Sequence, residues 1–299
     1  MKKLIRKGEV KEVYQTGEDR LEFLFTDSIS IFEKVIPNKI PRKGESLCKT
    51  STYWFKKAEE MGVNTHFIKR KDEKRMLVEE VKVIDDYDKI SEETTNYLIP
   101  LEFIARYYVA GSLHDRIKRG EIDHERLGFS GEPDYGDRLP EPFFEVTTKL
   151  EEYDRNLEKE EALSISGLTE DEYEEIKETV FEIDDLMENT VEKNGLLHVE
   201  GKKEFAMDED REIMLVDTFG TADEDRFWEK DEYEKDNFVD QSKEFVREYY
   251  KENGYYDKLM EARREGKEEP TIPPLPNEIV DKASEMYVNL MSRLTDGRY

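Results

Sequence analysis

Glu102-Phe-Ile-Ala-Arg-Tyr-Tyr-Val-Ala-Gly-Ser-Leu113 runs an apolar, aromatic-rich segment straight into a glycine–serine pair. Residues 102–109 are expected to form a buried strand, since aromatic and branched side chains suit a pleated surface covered on both faces. Arg106 lies inside that strand and requires a partner, because an unpaired buried charge is costly. Ser112 is expected to cap a short helix. Free N–H groups at a helix start, with a hydroxyl beside them, make a seat for phosphate. A buried arginine–carboxylate pair followed by an ordinary cap fits the same residues.

On the N-terminal side, residues 4–82 read as strand-rich. Val10, Val13 and Tyr14, then Leu21, Phe23 and Phe25, flank the turn Thr16-Gly17-Glu18-Asp19, which predicts an opening hairpin. A helix is expected over 46–61, stopping at Gly62, with strands at 64–69 and 75–84. On the C-terminal side, residues 120–162 have weak periodicity and several prolines and glycines, and are expected to form a long, functional loop. Thr169-Glu170-Asp171-Glu172 is a capping box that opens a helix running to residue 193. Two short strands at 196–200 and 203–207, a turn at 208–211 and a strand at 212–217 follow, then helices near 241–253 and 278–294. Such an order predicts an α+β fold of two lobes: an antiparallel β-rich lobe over 1–100 and a larger α/β lobe over 101–299 that ends in helices.

Composition narrows the function. Of the 299 residues 36% are hydrophobic, enough for a core although 40% are charged, so wholesale disorder is excluded. The single cysteine, Cys48, excludes an intrachain disulfide. No apolar h-region follows the basic start, and residues 97–111 are interrupted by Glu102 and Arg106, so a cytoplasmic protein without membrane partners is expected. The net charge is −27, but unevenly spread: +6 over residues 1–75 against −33 over the rest. That field repels nucleic acid, and it requires clustered cations if the substrates are anions.

There is no Walker A loop, GxGxxG, Cys/His metal cluster or Gly-x-Ser-x-Gly, and His66, His114, His124 and His198 are scattered. What remains is a set of polar clusters on strand-like sequence. Gly8-Glu9-Val10-Lys11-Glu12-Val13-Tyr14 puts a glycine before an alternating strand whose Lys11 can meet phosphates as a point charge. Lys202-Lys203-Glu204-Phe205 and Leu215-Val216-Asp217 lie on strands joined by a tight turn, so their carboxylates could share a Mg²⁺ or form cross-strand ion pairs. Arg226, in Asp223-Glu224-Asp225-Arg226-Phe227-Trp228, is a further candidate anion clamp.

In order and spacing these clusters resemble the SAICAR synthetase family. The matching segments include GEVKEVY (8–14), TDSISIFEKVIPNKIPRKGE (26–45), EFIARYYVAGSL (102–113), LPEPFFEVTTK (139–149), YDRN (153–156), GLLHVEGKKEF (195–205), VDTFGTADEDRFW (216–228) and PPLPNEIV (273–280). The resemblance implies a two-lobe fold with an ATP cleft and an ATP-dependent ligase of de novo purine synthesis. The ligase would phosphorylate the carboxylate of carboxyaminoimidazole ribonucleotide, then let the amine of L-aspartate displace phosphate. It implies ATP as co-substrate, Mg²⁺, and a monomer or homodimer. It implies Gly8, Lys11, Glu204 and Asp217 for ATP, with Glu204 and Asp217 at the Mg²⁺. Arg106, Ser112, Lys202 and Arg226 would hold the ribonucleotide, and Lys149, Asp154 and Lys202 would be catalytic. Glu9, Tyr153, Arg155, Glu200, Thr218, Ala222 and Asp225 depart from the family pattern, Asp225 adding negative charge beside Arg226. They motivate two alternatives, a divergent paralogue joining a different amine and carboxylate, and a nucleotide-binding regulator without catalysis.

Overall fold

Alternation of apolar residues builds β2 (Lys11–Gly17) and β3 (Arg20–Phe25), which with the fully exposed edge strand β1 (Lys3–Lys7) form an antiparallel meander in a computed structural model that describes residues 2–151 and 153–299. The hairpin turns where expected. A small ribbon of β4 (Ser28–Ile31) and β5 (Lys34–Lys39) precedes α1 (Lys43–Glu60), and β6 (Phe67–Arg70) and β7 (Arg75–Glu79) then return to complete a five-stranded sheet, β1-β2-β3-β7-β6. The helix expected from residue 46 starts at Lys43, where the Lys43 side chain is wholly buried against Asp223 at 2.5 Å.

The second sheet takes its strands from further along: β8 (Tyr97–Leu98), β9 (Leu101–Tyr108), then, beyond α2 (Gly111–Lys118), β10 (Arg138–Thr148) and β11 (Asn156–Leu157). Helices α3 (Lys159–Ser166) and α4 (Glu170–Glu192) lead into β12 (Leu196–Met207), β13 (Ile213–Val216) and β14 (Arg226–Glu229). The sheet order is β11-β10-β9-β12-β13, with β8 and β14 also pairing to β12. Four helices close the chain: α5 (Lys230–Tyr233), α6 (Glu244–Glu252), α7 (Tyr255–Glu265) and α8 (Asn277–Leu294). The antiparallel sheets and packed helices make an α+β fold. Among the described residues no helix is long and apolar enough to cross a membrane.

Helix α4 forms as its capping box predicts. Thr169 accepts from the Glu172 backbone at 3.2 Å, and the Glu172 carboxylate accepts from the Thr169 backbone at 2.8 Å. Its buried stripe, including Ile176, Val180, Ile183 and Met187, covers one face of β9 and β12, where Phe103 and Phe205 meet edge to face. The opposite face of the same strands is left for the polar residues.

Three expectations fail for identifiable reasons. Residues 120–162 are not one loop, since β10, β11 and α3 lie within or overlap them. Pro140 and Pro142 hid β10, yet both fall in the stretch where its register against β9 shifts, between Arg138 and Phe143, so neither removes a ladder hydrogen bond. The two strands expected at 196–200 and 203–207 are one, because Gly201 continues the ladder opposite Ala105. A side chain there would meet the Asp225 carboxylate 2.2 Å away. Ser112 does not cap α2: Ala110 occupies that position, and the Ser112 hydroxyl instead accepts from Arg106 at 3.1 Å. Helix α7 occupies a segment where no element is expected from the sequence, although Tyr255, Leu259 and Ala262 form its buried stripe.

Candidate active site

Pleating puts Glu200, Lys202 and Glu204 of β12 on the face that α4 does not cover, with Glu102 and Arg106 of β9 beside them. Lys203, between them, points the other way into α4, fully buried on Asp184. Charged groups therefore form one continuous row along the open face, and the row has two ends.

At one end β1, β2 and β3 overhang the edge of the second sheet and enclose a cavity of about 530 Å³. Gly8, Lys11, Lys149, Lys202, Glu204 and Asp217 all line it, with His66, Glu224 and an apolar wall that includes Val13, Leu21 and Phe23. The Gly8 N–H donates to the Lys11 carbonyl at 2.9 Å, and a Cβ on Gly8 would meet that oxygen at 3.1 Å, so the turn is held tight over the cavity. The Lys11 ammonium pairs with Asp217 and sits 4.3 Å over the Phe23 ring. Asp217 follows β13 in a left-handed conformation, φ 61°, which an aspartate tolerates better than most residues. Burial opposes its ionisation, but Lys11 and Lys149 override this and hold its carboxyl well below the usual range.

Lys149 ties the carboxylates together: it pairs with Glu204 and lies 4.0 Å from both Asp217 and Glu102. Lys202 contacts Glu102 at 2.6 Å, Glu204 at 3.2 Å and Glu224 at 3.2 Å. Burial alone would lower the Lys202 ammonium; the three carboxylates, Glu224 foremost, instead raise it well above the ordinary lysine value. His66 stays neutral, since burial depresses it to about 4.

At the other end two arginines meet over Glu200. Arg106 pairs with Glu200 and, at 2.7 Å, with Glu145. Arg226 reaches Glu200 at 2.9 Å, Asp240 at 2.8 Å and Glu244 at 3.3 Å. Gly111, φ 49°, brings the start of α2 so close that a Cβ would meet the Arg226 guanidinium at 2.9 Å. A second cavity of about 280 Å³ opens here, lined by Gly111, His114, Tyr135, Arg226, Asp240 and Glu244 among others. Helix N–H groups, a serine hydroxyl and two arginines at one point can bind a phosphate.

Arg106, Ser112 and Arg226 thus converge, whereas Lys202 lies two residues further along the row, at the junction of the two ends. Asp154 is exposed to solvent at the rim of the row, and partial burial raises its carboxyl above the ordinary aspartate value while Lys202 and Lys149 oppose the shift. Asp225 does not add charge to the Arg226 clamp: it turns to the reverse side of the sheet and binds His198 at 2.8 Å. Of the other departures, Glu200 bridges both arginines, and Arg155 pairs with Glu151 and Glu161. Sequence reasoning missed Glu102, Glu145, Glu224, Asp240 and Glu244 as members of the site. For Glu102 a signal existed, its four-residue spacing from Arg106, which sets both on one face of the strand.

Comparison with known proteins gives consistent results. A family model described as SAICAR synthetase matches residues 4–262. The phosphoribosylaminoimidazole-succinocarboxamide synthase of Thermoplasma acidophilum is 51% identical over 297 residues, covering 99% of this chain and 100% of that protein. The synthase of the same name from Nitrosopumilus maritimus is 33% identical, with 96% of each chain covered. Among solved structures, a SAICAR synthase from Saccharomyces cerevisiae complexed with SAICAR shares the fold, with TM-score 0.77, 24% identity, and coverage of 99% of this chain and 95% of that one. A SAICAR synthetase in complex with ADP aligns with TM-score 0.64 and 26% identity over 89% of this chain and 99% of the other.

Proposed function

The chain belongs to the SAICAR synthetase family, and from that premise we propose how its row of charges runs the reaction. The protein is an ATP-dependent carbon–nitrogen ligase of purine biosynthesis, condensing carboxyaminoimidazole ribonucleotide with L-aspartate to give SAICAR, ADP and phosphate. Identity of 51% across the full length favours neither the divergent paralogue nor the non-catalytic regulator.

The observation that carries the mechanism is the alternation of β12, which hangs Glu200, Lys202 and Glu204 from one face between the two cavities. ATP takes the larger cavity, its base against Val13, Leu21 and Phe23 and its phosphates at Gly8, Lys11 and Lys149. The ribonucleotide phosphate takes the start of α2, held by Ser112, Arg106 and Arg226, and its carboxylate then faces Lys202. Lys149 and Lys202 neutralise charge as the γ-phosphoryl group passes to that carboxylate. The aspartate amine next attacks the acyl phosphate, phosphate leaves, and Asp154 accepts the proton the amine loses. Holding three anions together is the larger part of the task. Glu204 and Asp217 fit Mg²⁺ as hard carboxylates that already converge on Lys149. Bound there, the ion would add positive charge at the transferred phosphoryl group. The division into lobes 1–100 and 101–299, a cytoplasmic location and a monomeric or homodimeric state complete the proposal.

Purified protein with ATP, Mg²⁺ and carboxyaminoimidazole ribonucleotide should release ADP only when L-aspartate is added. Lys202→Ala should lower kcat/KM about 10³-fold while leaving ATP affinity within a few-fold. ADP release indifferent to aspartate would overturn the mechanism.

A further inference from the structure

On the reverse side of β12, hidden from both cavities, lies a cluster that the reaction does not use. The register of β12 against β14 shifts between His198 and Glu200. That shift puts His198 and Gly201, three residues apart, on the same side of the strand, and a Cβ on Gly201 would meet His198 Nε2 at 2.9 Å. His198 is fully buried between the rings of Tyr107 and Phe227, at centroid distances of 5.6 and 5.3 Å. Its Nε2 donates to Asp225 Oδ2 at 2.8 Å, and Asp225 Oδ1 accepts from the Gly220 backbone N–H at 2.7 Å.

Gly220 is held from its other side as well. Its carbonyl accepts from the Trp54 indole at 3.1 Å, and its φ of 68° and the absence of a side chain let that ring approach, since a Cβ would lie 2.4 Å from Trp54. The segment 217–226 that passes through this clamp supplies Asp217, Glu224 and Arg226 to the open face. Asp184, His198 and Asp225 approach closely enough to hold a metal by distance, within 4.8 Å of one another. The ammonium of Lys203, buried on Asp184, already provides positive charge there.

We infer that His198 and Asp225 are positioning residues that hold the 220–226 segment from behind so that Arg226 faces the substrate phosphate. Asp225 and Arg226 are neighbours pointing to opposite faces, so a carboxylate fixed on one side fixes the guanidinium on the other. Arg226 is nearer the clamp than Asp217 is, so loosening it acts first on the ribonucleotide. The inference rests on the ligase reading for its substrate.

The test is steady-state kinetics on the whole enzyme. Asp225→Ala should raise KM for the ribonucleotide about tenfold, with kcat and KM for ATP changed less than about threefold, and Asp225→Asn, which can still accept from Gly220, should recover most of the loss. His198→Gln should show the same split, more weakly, and serves if Asp225→Ala does not fold. Unchanged ribonucleotide KM in folded variants, or an equal rise for both substrates, would overturn the inference. Hydrogen exchange at the Gly220 amide gives a readout independent of turnover: it should quicken about tenfold in His198→Gln. Absence of wild-type turnover would therefore count against the ligase reading, whereas unaltered Gly220 exchange would count against the clamp.

Discussion

The two ends of the charged row solve one problem with different cations. Both must hold positive charge ready for an anionic ligand inside a protein of net charge −27. At the proposed ribonucleotide end the cations are arginines, each shared among carboxylates and almost wholly buried: Arg106 with Glu145 and Glu200, Arg226 with Glu200, Asp240 and Glu244. At the proposed nucleotide end they are lysines, and Lys11 and its partner Asp217 stay partly open to solvent. A planar guanidinium holds several partners at once in a fixed fork, and Arg226 uses all three nitrogens on Glu200, Asp240 and Glu244, whereas an ammonium on a flexible stem must rotate from one partner to the next. The arginine end is thus the more rigidly held of the two, and the lysine end the freer to rearrange.

Removing one cation from each end should expose that contrast most strongly in stability. Arg226→Ala leaves Glu200, Asp240 and Glu244 short of a buried partner and should cost about 3–5 kcal/mol, read from the midpoint of a denaturant titration. A loss below about 1 kcal/mol would mean that the arginine end is solvated and the contrast false. Lys11→Ala should cost less than about 1 kcal/mol, because the pair is partly exposed and Lys149 remains near Asp217. Its effect should appear as a rise in KM for ATP of about tenfold, the equivalent of one charge-assisted hydrogen bond.

The smallest expected effect concerns pH. The Glu102 carboxyl is pushed up to about 7, chiefly by burial, with Glu204 adding to the shift and Lys202 and Lys149 opposing it. Its folded value lies above its unfolded one, so the stability it contributes is present below the ordinary glutamate range and is lost as pH rises through about 7. Glu102→Gln should flatten the wild-type decline between about pH 4.5 and 7, measured by denaturant unfolding across that range. Parallel curves for the two proteins would show that Glu102 titrates normally and that the lysine end is wetter than its packing implies.

Much of this was legible in the residues. The opening hairpin follows from apolar alternation around Thr16-Gly17-Glu18-Asp19, and α4 from the reciprocal bonds of Thr169 and Glu172. The pairing of the strand that carries Glu204 with the one that leads into Asp217 follows from a strand, a tight turn and a strand. The partners of the arginines were not legible. Glu145 lies on a strand obscured by prolines, and Asp240 and Glu244 come from a stretch where acidic residues are so frequent that none stands out from a solvated surface. Asp225 was misread for a related reason. Adjacent residues on a strand face opposite ways, and a neighbour in sequence, taken as a neighbour in space, was assigned to the wrong side of the sheet.

The single strand β12 also works as a gauge. Glu200 belongs to the proposed phosphate seat and Glu204 lines the proposed nucleotide cavity, so the two carboxylates are spaced by four residues of extended chain, about 13 Å at the usual rise. Along β12 the covalent backbone fixes that interval. A ribonucleotide whose carboxylate stood much nearer to or farther from its phosphate would overshoot or fall short of the transferred group, however well each end gripped it. Under the proposed function, substrate length would be measured by peptide units, in a dimension that side-chain substitution cannot adjust.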